Sequence, residues 1–357
     1  MSAVRREDAQ RAIDTKTKPL GALGRLEAIA VRLAMLQNTL TPAIVRPRIC
    51  VFGADHGVAA AGVSAYPKAV TAEMMKNFDG GGAAINVLAR ANGIDLDVID
   101  VGVDADLSSL RSVRQAKVRR GTRNLSQEAA MTAEELAGAI QVGREAVQRA
   151  IEDGSNVVGF GEMGIGNTTS AAALLAVLTG LPASEVVGRG TGVSDDVLRH
   201  KQMVVNDAVS LHRVDSAIDC LQRLGGLEIA AIVGGVHEAA RSRSAIVADG
   251  FISTVALLTA ARIAAQDEVI LVDAISDAAF VAHRSTEAGH VAAIAACAQL
   301  KIDARPVVDL EMRLGEGTGA ALAIPVMRSA AAIMREMATF ESAGVSASDH
   351  ALEHGTS

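Results

Sequence analysis

The chain has 357 residues, half of them hydrophobic, and a formal net charge of −7. This length predicts one large domain or two smaller ones, with ample apolar residues for a core. The negative charge, the lack of a basic stripe, and a single Tyr with no Trp argue against a nucleic-acid partner.

The start of the chain and its cysteines predict a soluble, cytoplasmic protein. Residues 1–12 contain acidic side chains and no apolar stretch, so no signal peptide is expected. The sequence has no uninterrupted apolar run of about 18 residues, so no membrane partner is expected either. Cys50, Cys220 and Cys297 are far apart and odd in number, which is typical of buried thiols in a reducing compartment.

The first sixty residues predict two helices and then a strand. Residues 5–37 alternate charged and apolar positions at helical spacing, with a break at 18–21 and a second helix over 23–36. A Pro-containing linker over 41–48 leads into the apolar run 49–52, a short strand that ends in a Gly-rich turn.

The rest of the chain alternates predicted helices and strands. The region 268–283 favours a strand either at 269–272 or at 278–282, and the arginine-rich stretch 111–123 is typical of a solvated loop or a strand edge. The other predicted elements, in order, are helices 69–78 and 83–91, strand 95–103, helix 132–154 with Thr132 as N-cap, strand 156–160, helices 168–179, 194–211 and 227–240, strand 244–248, and helices 252–266, 289–300 and 325–339.

This alternation predicts an α/β fold with a central, mainly parallel, Rossmann-like sheet and helices on both of its faces. Both ends of the chain are purely helical, and we expect them to form a small helical domain. The predicted parts are residues 1–45 for the N-terminal part of the small domain, 46–324 for the large domain with the active site, 325–345 for the C-terminal helix of the small domain, and 346–357 for a flexible tail.

A Gly-rich turn follows the strand predicted at 156–160. Residues 161–169 read GEMGIGNTT, and a helix is predicted directly after them. Backbone N–H groups in glycine turns converge on anions, and a helix N-terminus adds partial positive charge. Thr168 and Thr169 can cap the helix or donate to a phosphate, so the turn indicates either phosphate or sugar binding or a plain capped turn.

Two later segments leave similar alternatives open. Residues 188–196, GRGTGVSDD, end in a typical N-cap and acidic first turn, and the following Lys201 either reaches back to a phosphate or is solvated. Residues 283–290, HRSTEAGH, precede a predicted helix. Ser285 or Thr286 either caps that helix or belongs to a ligand-binding loop.

The segment 312–320, MRLGEGTGA, holds Glu316 between two glycines. Glycine neighbours let the backbone approach a ligand closely, and burial of such a carboxyl raises its pKa towards that of a general base at neutral pH. The alternative is that Glu316 helps to cap the helix that follows Gly319.

The sequence does not predict a metal site. His350 and His354 form an HxxxH pair in the polar tail, where no rigid site is expected. Asp55 and His56 favour a structural hydrogen bond over an isolated metal pair.

These segments, in this order, resemble those of the nicotinate-nucleotide–dimethylbenzimidazole phosphoribosyltransferases. Residues 18–27, KPLGALGRLE, and residues 54–58, ADHGV, carry the same resemblance. The six motifs extend over about residues 14–341, and their shared order is far more specific than any one of them. Family members often have Gln where this chain has Glu73, so the sequence leaves the preferred acceptor base open.

The resemblance implies an enzyme that transfers a 5-phosphoribosyl group from nicotinate mononucleotide to 5,6-dimethylbenzimidazole in cobalamin biosynthesis. It implies a homodimer that needs no metal and no cofactor. Glu316 matches the general base, Glu162 matches a secondary carboxylate near the nucleotide, and Lys201 matches a phosphate-contacting lysine. The substrate-binding residues that it implies are Tyr66, Glu73, Met74, Gly164, Asn167, Thr168, Gly190, Lys201, Ser285, Arg313, Leu314 and Gly315.

Within that set, the resemblance assigns Tyr66, Glu73, Met74 and Leu314 to the benzimidazole pocket, and we expect Met75 to extend the same apolar slot.

Two other functions compete with this interpretation. An NAD-type oxidoreductase predicts a GxGxxG motif after the first strand, and residues 53–57, GADHG, do not match it. A non-catalytic protein that binds an azole or a nucleotide would not need the carboxylate of Glu316, which is present.

Overall fold

The structure is a computed structural model that describes residues 4–190 and 192–346. Most of the predicted tail, with His350 and His354, lies outside the described residues, and so does Thr191.

A six-stranded sheet, parallel throughout, forms the centre of the described chain. Its strands are β1 (Arg48–Ala54), β2 (Asp95–Gly102), β3 (Val113–Gln115), β4 (Val157–Met163), β5 (Ala245–Ala248) and β6 (Ala279–Val281). They lie side by side in the order β3-β2-β1-β4-β5-β6. The predicted Rossmann-like sheet is therefore confirmed, and β3 lies at its edge within the arginine-rich stretch.

Helices cover the sheet and join its strands. In the described residues they are α1 (Arg6–Asp14), α2 (Arg25–Leu36), α3 (Ala69–Asp79), α4 (Ala84–Asn92), α5 (Ala133–Glu152), α6 (Asn167–Thr179), α7 (Ala183–Val186), α8 (Asp195–Leu211), α9 (Ala217–Leu224), α10 (Leu227–Arg241), α11 (Phe251–Asp267), α12 (Val269–Ala278), α13 (Ala288–Gln299), α14 (Thr318–Glu336) and α15 (Phe340–Ala343). A 3₁₀ helix, Gly57–Ala61, follows β1.

The sequence explains why these elements form. Six of the seven β1 residues are buried, as expected for a central parallel strand that is covered on both faces. Thr132 caps α5 as predicted, since its hydroxyl accepts from the N–H of Glu135 at 3.2 Å while the Glu135 carboxylate accepts from the N–H of Thr132 at 2.7 Å.

One predicted helix start is wrong by several residues, and one open alternative is decided. The last long helix, α14, begins at Thr318 and not at Pro325, which lies inside it. The small residues ahead of Pro325 are buried, and their packing outweighs the hydrogen bond that proline cannot donate. Residues 269–272 are helical although their composition favours a strand, and the strand of this region is β6, as in the second alternative.

The two ends of the chain meet. The N–H of Phe340 donates to the carbonyl of Thr15 at 3.1 Å, and that of Thr17 donates to the carbonyl of Ala338 at 3.0 Å. Helix α14 packs against α2 and leads from the sheet towards these two terminal segments. The predicted boundary between residues 324 and 325 falls inside α14, so the division into domains stays a prediction.

The strand order reverses between β1 and β4, because β1 connects towards β2 on one side and β4 leads to β5 on the other. At such a point the connections diverge and leave a crevice beyond the carboxyl ends of the strands, where α/β proteins bind ligands. Across residues 4–190 and 192–346, no helix combines the length and the apolar character that a membrane span requires.

Candidate active site

A cavity of about 550 Å³ opens at this edge of the sheet. The carboxyl ends of three neighbouring strands supply its floor with Glu162, Asp249 and His283. The cavity also receives residues from the loops before α3, α8 and α14 and from the N-terminus of α6. Twelve of the fourteen predicted site residues line it, and the two that do not are Glu73 and Met74.

Glu316 occupies a tight turn directly before α14. Gly315, Glu316 and Gly317 all have positive φ angles, of 82°, 63° and 87°. This backbone conformation is unfavourable for Glu316, so the turn must be held by its surroundings. Asp249 holds it, accepting from the N–H groups of Gly317 at 3.1 Å and Ala320 at 3.0 Å.

The carboxyl of Glu316 is suited to a proton transfer near neutral pH. The residue is only 6% exposed, and burial raises its pKa to about 7. A backbone N–H of Ile85 opposes this rise and the charge of Asp249 adds to it. Its Oε2 has no hydrogen-bond partner among the described residues. The alternative that Glu316 caps the next helix is wrong, because Asp249 accepts from the N–H groups there and α14 has no side-chain cap.

Glu162 lies at the end of β4 and not in the turn after it. Its side chain is buried, and Asn167 donates to one of its oxygens. Burial and the carboxyls of Glu228, Asp249 and Glu316 raise the pKa of Glu162 well above its ordinary value. Carboxyls with raised pKa values ionise more readily when a positive charge is close, so this floor favours a cation or a developing positive charge.

The opposite wall of the cavity favours an anion. Helix α6 starts after Gly166, whose φ of 97° makes the turn, and no side chain caps it, so Thr168 and Thr169 are not the predicted N-caps. Lys201 is 1% exposed, and its ammonium donates to Thr168 Oγ1 at 2.8 Å and to the Gly188 carbonyl at 3.3 Å. The solvated alternative for Lys201 is therefore wrong. A buried ammonium beside an uncapped helix N-terminus is a favourable place for a phosphate.

Comparisons with known proteins agree with this arrangement. A family model described as "Phosphoribosyltransferase" matches residues 1–345. The nicotinate-nucleotide–dimethylbenzimidazole phosphoribosyltransferase of Cupriavidus taiwanensis is 49% identical over 338 residues, which cover 94% of each chain. The same-named protein of Ralstonia nicotianae is also 49% identical, over 94% of this chain and 92% of its own. The crystal structure of CobT from Thermus thermophilus superposes with a TM-score of 0.89 at 44% identity, covering 96% of this chain and 99% of that one.

The chain belongs to the nicotinate-nucleotide–dimethylbenzimidazole phosphoribosyltransferase family.

Membership of this family decides between the functions that the sequence left open. The relatives are transferases of this family, and an NAD-type oxidoreductase is not favoured. The fold expected for the family is confirmed by the parallel sheet and by the superposition on CobT.

The loops around the cavity are tied to one another. The N–H of Gly190 donates to Glu287 at 3.2 Å, and Arg313 donates to the Gly190 carbonyl at 3.0 Å. The Ser285 hydroxyl accepts from the N–H of Glu287 at 3.3 Å. Helix α13 has Glu287 as its N-cap residue, so neither Ser285 nor Thr286 takes that position.

The residues expected at the benzimidazole pocket divide into two groups. Tyr66 and Leu314 lie at the rim of the cavity and are 52% and 57% exposed. Glu73 is exposed on α3 away from the cavity, and Met74 is half-buried there. Met75 is fully buried in the core, so it does not extend the apolar slot.

Sequence reasoning missed Asp249, His283 and Glu287 as residues that line the cavity. A signal was available for Asp249 and His283, since each directly follows or nearly follows a strand of the parallel sheet, and those ends converge. No local sequence signal places Glu287 near Gly190, because their contact joins residues that are 97 positions apart.

The described residues contain no group of three or more His, Cys, Asp or Glu side chains arranged to hold a metal ion. Asp55 and His56 do not bond to each other. Asp55 accepts from the N–H of Asp104 at 2.7 Å, and His56 Nε2 lies 2.7 Å from a carboxylate oxygen of Glu228.

Proposed function

We propose that this protein transfers the 5-phosphoribosyl group of nicotinate mononucleotide to 5,6-dimethylbenzimidazole. The products are nicotinate and α-ribazole 5′-phosphate, the nucleotide of the lower ligand of cobalamin. The observation that carries the proposal is Glu316, a buried carboxyl with a pKa of about 7 that faces the same cavity as the buried ammonium of Lys201.

The donor fits the distribution of charge in the cavity. Its phosphate fits the wall formed by Lys201, Thr168 and the N-terminus of α6. Its pyridinium ring is cationic and fits the carboxyl-rich floor, where Glu162 lies. When the bond between ribose and nitrogen breaks, the ring leaves as a neutral pyridine, so the leaving group needs neither an acid nor a metal. The positive charge that develops on the ribose is stabilised by Glu162 once a bound cation favours its ionised form.

The acceptor requires one proton to be removed. One benzimidazole nitrogen attacks the anomeric carbon, and the other nitrogen carries a proton that becomes more acidic as the new bond forms. Glu316 takes that proton, which is general-base catalysis worth about 10²–10⁴ in rate. Alignment of the two bound rings supplies much of the remaining acceleration. Attack from the face opposite the nicotinate inverts the anomeric carbon and gives the α-linked product.

Three properties complete the proposal. The protein acts as a homodimer in the cytoplasm, uses only small-molecule substrates, and needs neither a cofactor nor a metal. Sedimentation equilibrium of the purified chain tests the homodimer, and we expect twice the monomer mass of 36.7 kDa. A monomer at micromolar concentration would contradict it.

The reaction is tested by incubating purified protein with nicotinate mononucleotide and a panel of bases, with a chelator present. Chromatography with mass detection follows both products. We expect kcat/KM to be greatest for dimethylbenzimidazole among benzimidazoles, purines and phenols. Nicotinate release that does not depend on a base would indicate a hydrolase, and a larger kcat/KM for another base would change the assigned acceptor.

A further inference from the structure

The ADHG segment after β1 contains a buried ionisable pair that the proposed reaction does not use. His56 Nε2 lies 2.7 Å from Glu228 Oε1, and both side chains are fully buried. Glu228 lies in the first turn of α10, where a carboxylate is favoured by the helix dipole. Neither residue lines the cavity.

This pair is a poor source of stability. His56 Nδ1 and Glu228 Oε2 have no hydrogen-bond partner among the described residues. A buried pair that leaves two polar atoms unsatisfied often stabilises a fold no better than apolar side chains of the same volume. The contacts that its fixed geometry makes are therefore the better guide to its role.

The imidazole of His56 fits between three glycines. A Cβ atom added to Gly226 would lie 2.3 Å from His56 Cε1, and one added to Gly164 would lie 3.3 Å from Cδ2. A Cβ atom on Gly166 would lie 3.3 Å from the Cβ of His56. The side chain therefore contacts the turn after β4 and the residue before α10 at once, without room for larger groups.

The turn that His56 contacts is the one that presents α6 to the cavity. Gly164 and Gly166 both line the cavity, and Gly166 is the N-cap residue of α6. Between them, the N–H of Ile165 is held by Thr71 Oγ1 at 3.1 Å. The turn is thus supported by His56 and by α3. Its position also sets that of Thr168, whose hydroxyl accepts from the ammonium of Lys201 at 2.8 Å.

We infer that the His56–Glu228 pair is a positioning element, which fixes the turn Gly164–Gly166 and the N-terminus of α6 as the binding place of the donor's phosphate. The inference rests on the proposed function, because that function places a phosphate on this wall. The pair acts through the turn and touches no substrate.

The test compares His56→Asn with the wild type on two donors, nicotinate mononucleotide and nicotinate riboside, which lacks the phosphate. Loss of a buried hydrogen bond that positions an anion site corresponds to about tenfold in affinity. We expect KM for the mononucleotide to rise by about that factor, with KM for dimethylbenzimidazole unchanged. The value of kcat/KM for the riboside should stay the same in both proteins, since the riboside does not use the turn.

Two further variants make the test specific. Glu228→Gln keeps the volume and an acceptor oxygen, so it serves as a milder change of the same pair, and we expect a smaller rise in the same KM. His237→Asn is the matched control, because His237 is also buried, lies on α10 and makes one hydrogen bond, to the Ala260 carbonyl at 2.9 Å. His237→Asn should change neither KM for the mononucleotide nor kcat/KM for the riboside.

Calorimetric titration with inorganic phosphate separates this inference from the proposed function. Phosphate binding that is about tenfold weaker in His56→Asn supports the positioning role of the His56–Glu228 pair, even if the wild type turns over no nucleotide. An equal fall in kcat/KM for the two donors would overturn the inference while leaving the reaction in place. Unchanged phosphate affinity in a His56→Asn protein with a normal circular dichroism spectrum would do the same. If His56→Asn does not fold, the same comparisons in Glu228→Gln decide.

Discussion

The substitution Glu316→Gln removes a carboxyl that is costly to bury and, in the proposed reaction, necessary. Burial raises the pKa of this group from 4.5 to about 7, and one pKa unit corresponds to about 1.36 kcal/mol. Between about pH 4.5 and pH 7, Glu316 holds a proton in the folded protein that it releases in the unfolded chain. The wild type therefore loses about 3 kcal/mol of its free energy of unfolding as the pH rises through that interval, and the loss is complete above about pH 7.

The variant has no such proton to lose. We expect Glu316→Gln to be more stable than the wild type by about 3 kcal/mol at pH 8, and by less than about 1 kcal/mol at pH 5. The same substitution should reduce kcat/KM by about 10²–10⁴, since it removes the general base. Stability and activity should thus change in opposite directions.

Urea unfolding at the two pH values and initial rates at the higher one measure both effects. Glu336→Gln is the matched control, because Glu336 is the last residue of α14, the helix that follows Glu316, and its side chain is 63% exposed. It should change neither quantity. If Glu316→Gln keeps more than about a tenth of the activity, Glu316 is not the general base. If the variant is less stable than the wild type at the higher pH, burial of this carboxyl does not cost stability.

Three other substitutions or conditions test the site. Burial lowers the pKa of Lys201 to about 8, so the ammonium that would bind the phosphate is lost above that pH, and KM for nicotinate mononucleotide should rise there. In steady-state kinetics, Lys201→Met should show about a tenfold higher KM that does not rise further with pH. Gly164→Ala should abolish most activity while thermal unfolding shows a folded protein, because its Cβ would lie 2.3 Å from the Ala54 carbonyl and displace the turn. Glu73→Gln should change KM for dimethylbenzimidazole by less than about twofold, as expected of an exposed side chain away from the cavity, and a larger change in steady-state kinetics would return Glu73 to the site.

The sequence predicts the sheet well because each central strand is a short apolar run followed by a polar or Gly-rich turn. The β4 and β5 segments are of this kind, and the carboxyl ends of β4, β5 and β6 place Glu162, Asp249 and His283 at one edge of the sheet. The Gly-rich turns that line the cavity were singled out for the same reason. A turn that exposes backbone N–H groups beside a helix start leaves a local signature.

The features that sequence reasoning missed depend on contacts between distant segments. Helix α14 continues through Pro325 because its first turns are buried, which no local propensity records. The hydrogen bonds by which Asp249 fixes the Glu316 turn join residues that are 68 positions or more apart in the sequence. Met75 and Met74 are neighbours on α3, and only packing decides that the first belongs to the core.

Proton NMR of the complete reaction distinguishes transfer to a base from hydrolysis of the donor. Wild-type protein is mixed with nicotinate mononucleotide and dimethylbenzimidazole, and the anomeric proton of the product is followed beside the signals of free nicotinate. We expect one nicotinate to be released for each new nucleotide, with the α configuration at the anomeric carbon. A β-linked product would contradict in-line attack opposite the leaving ring, and nicotinate formed together with free ribose 5-phosphate would contradict transfer to a base.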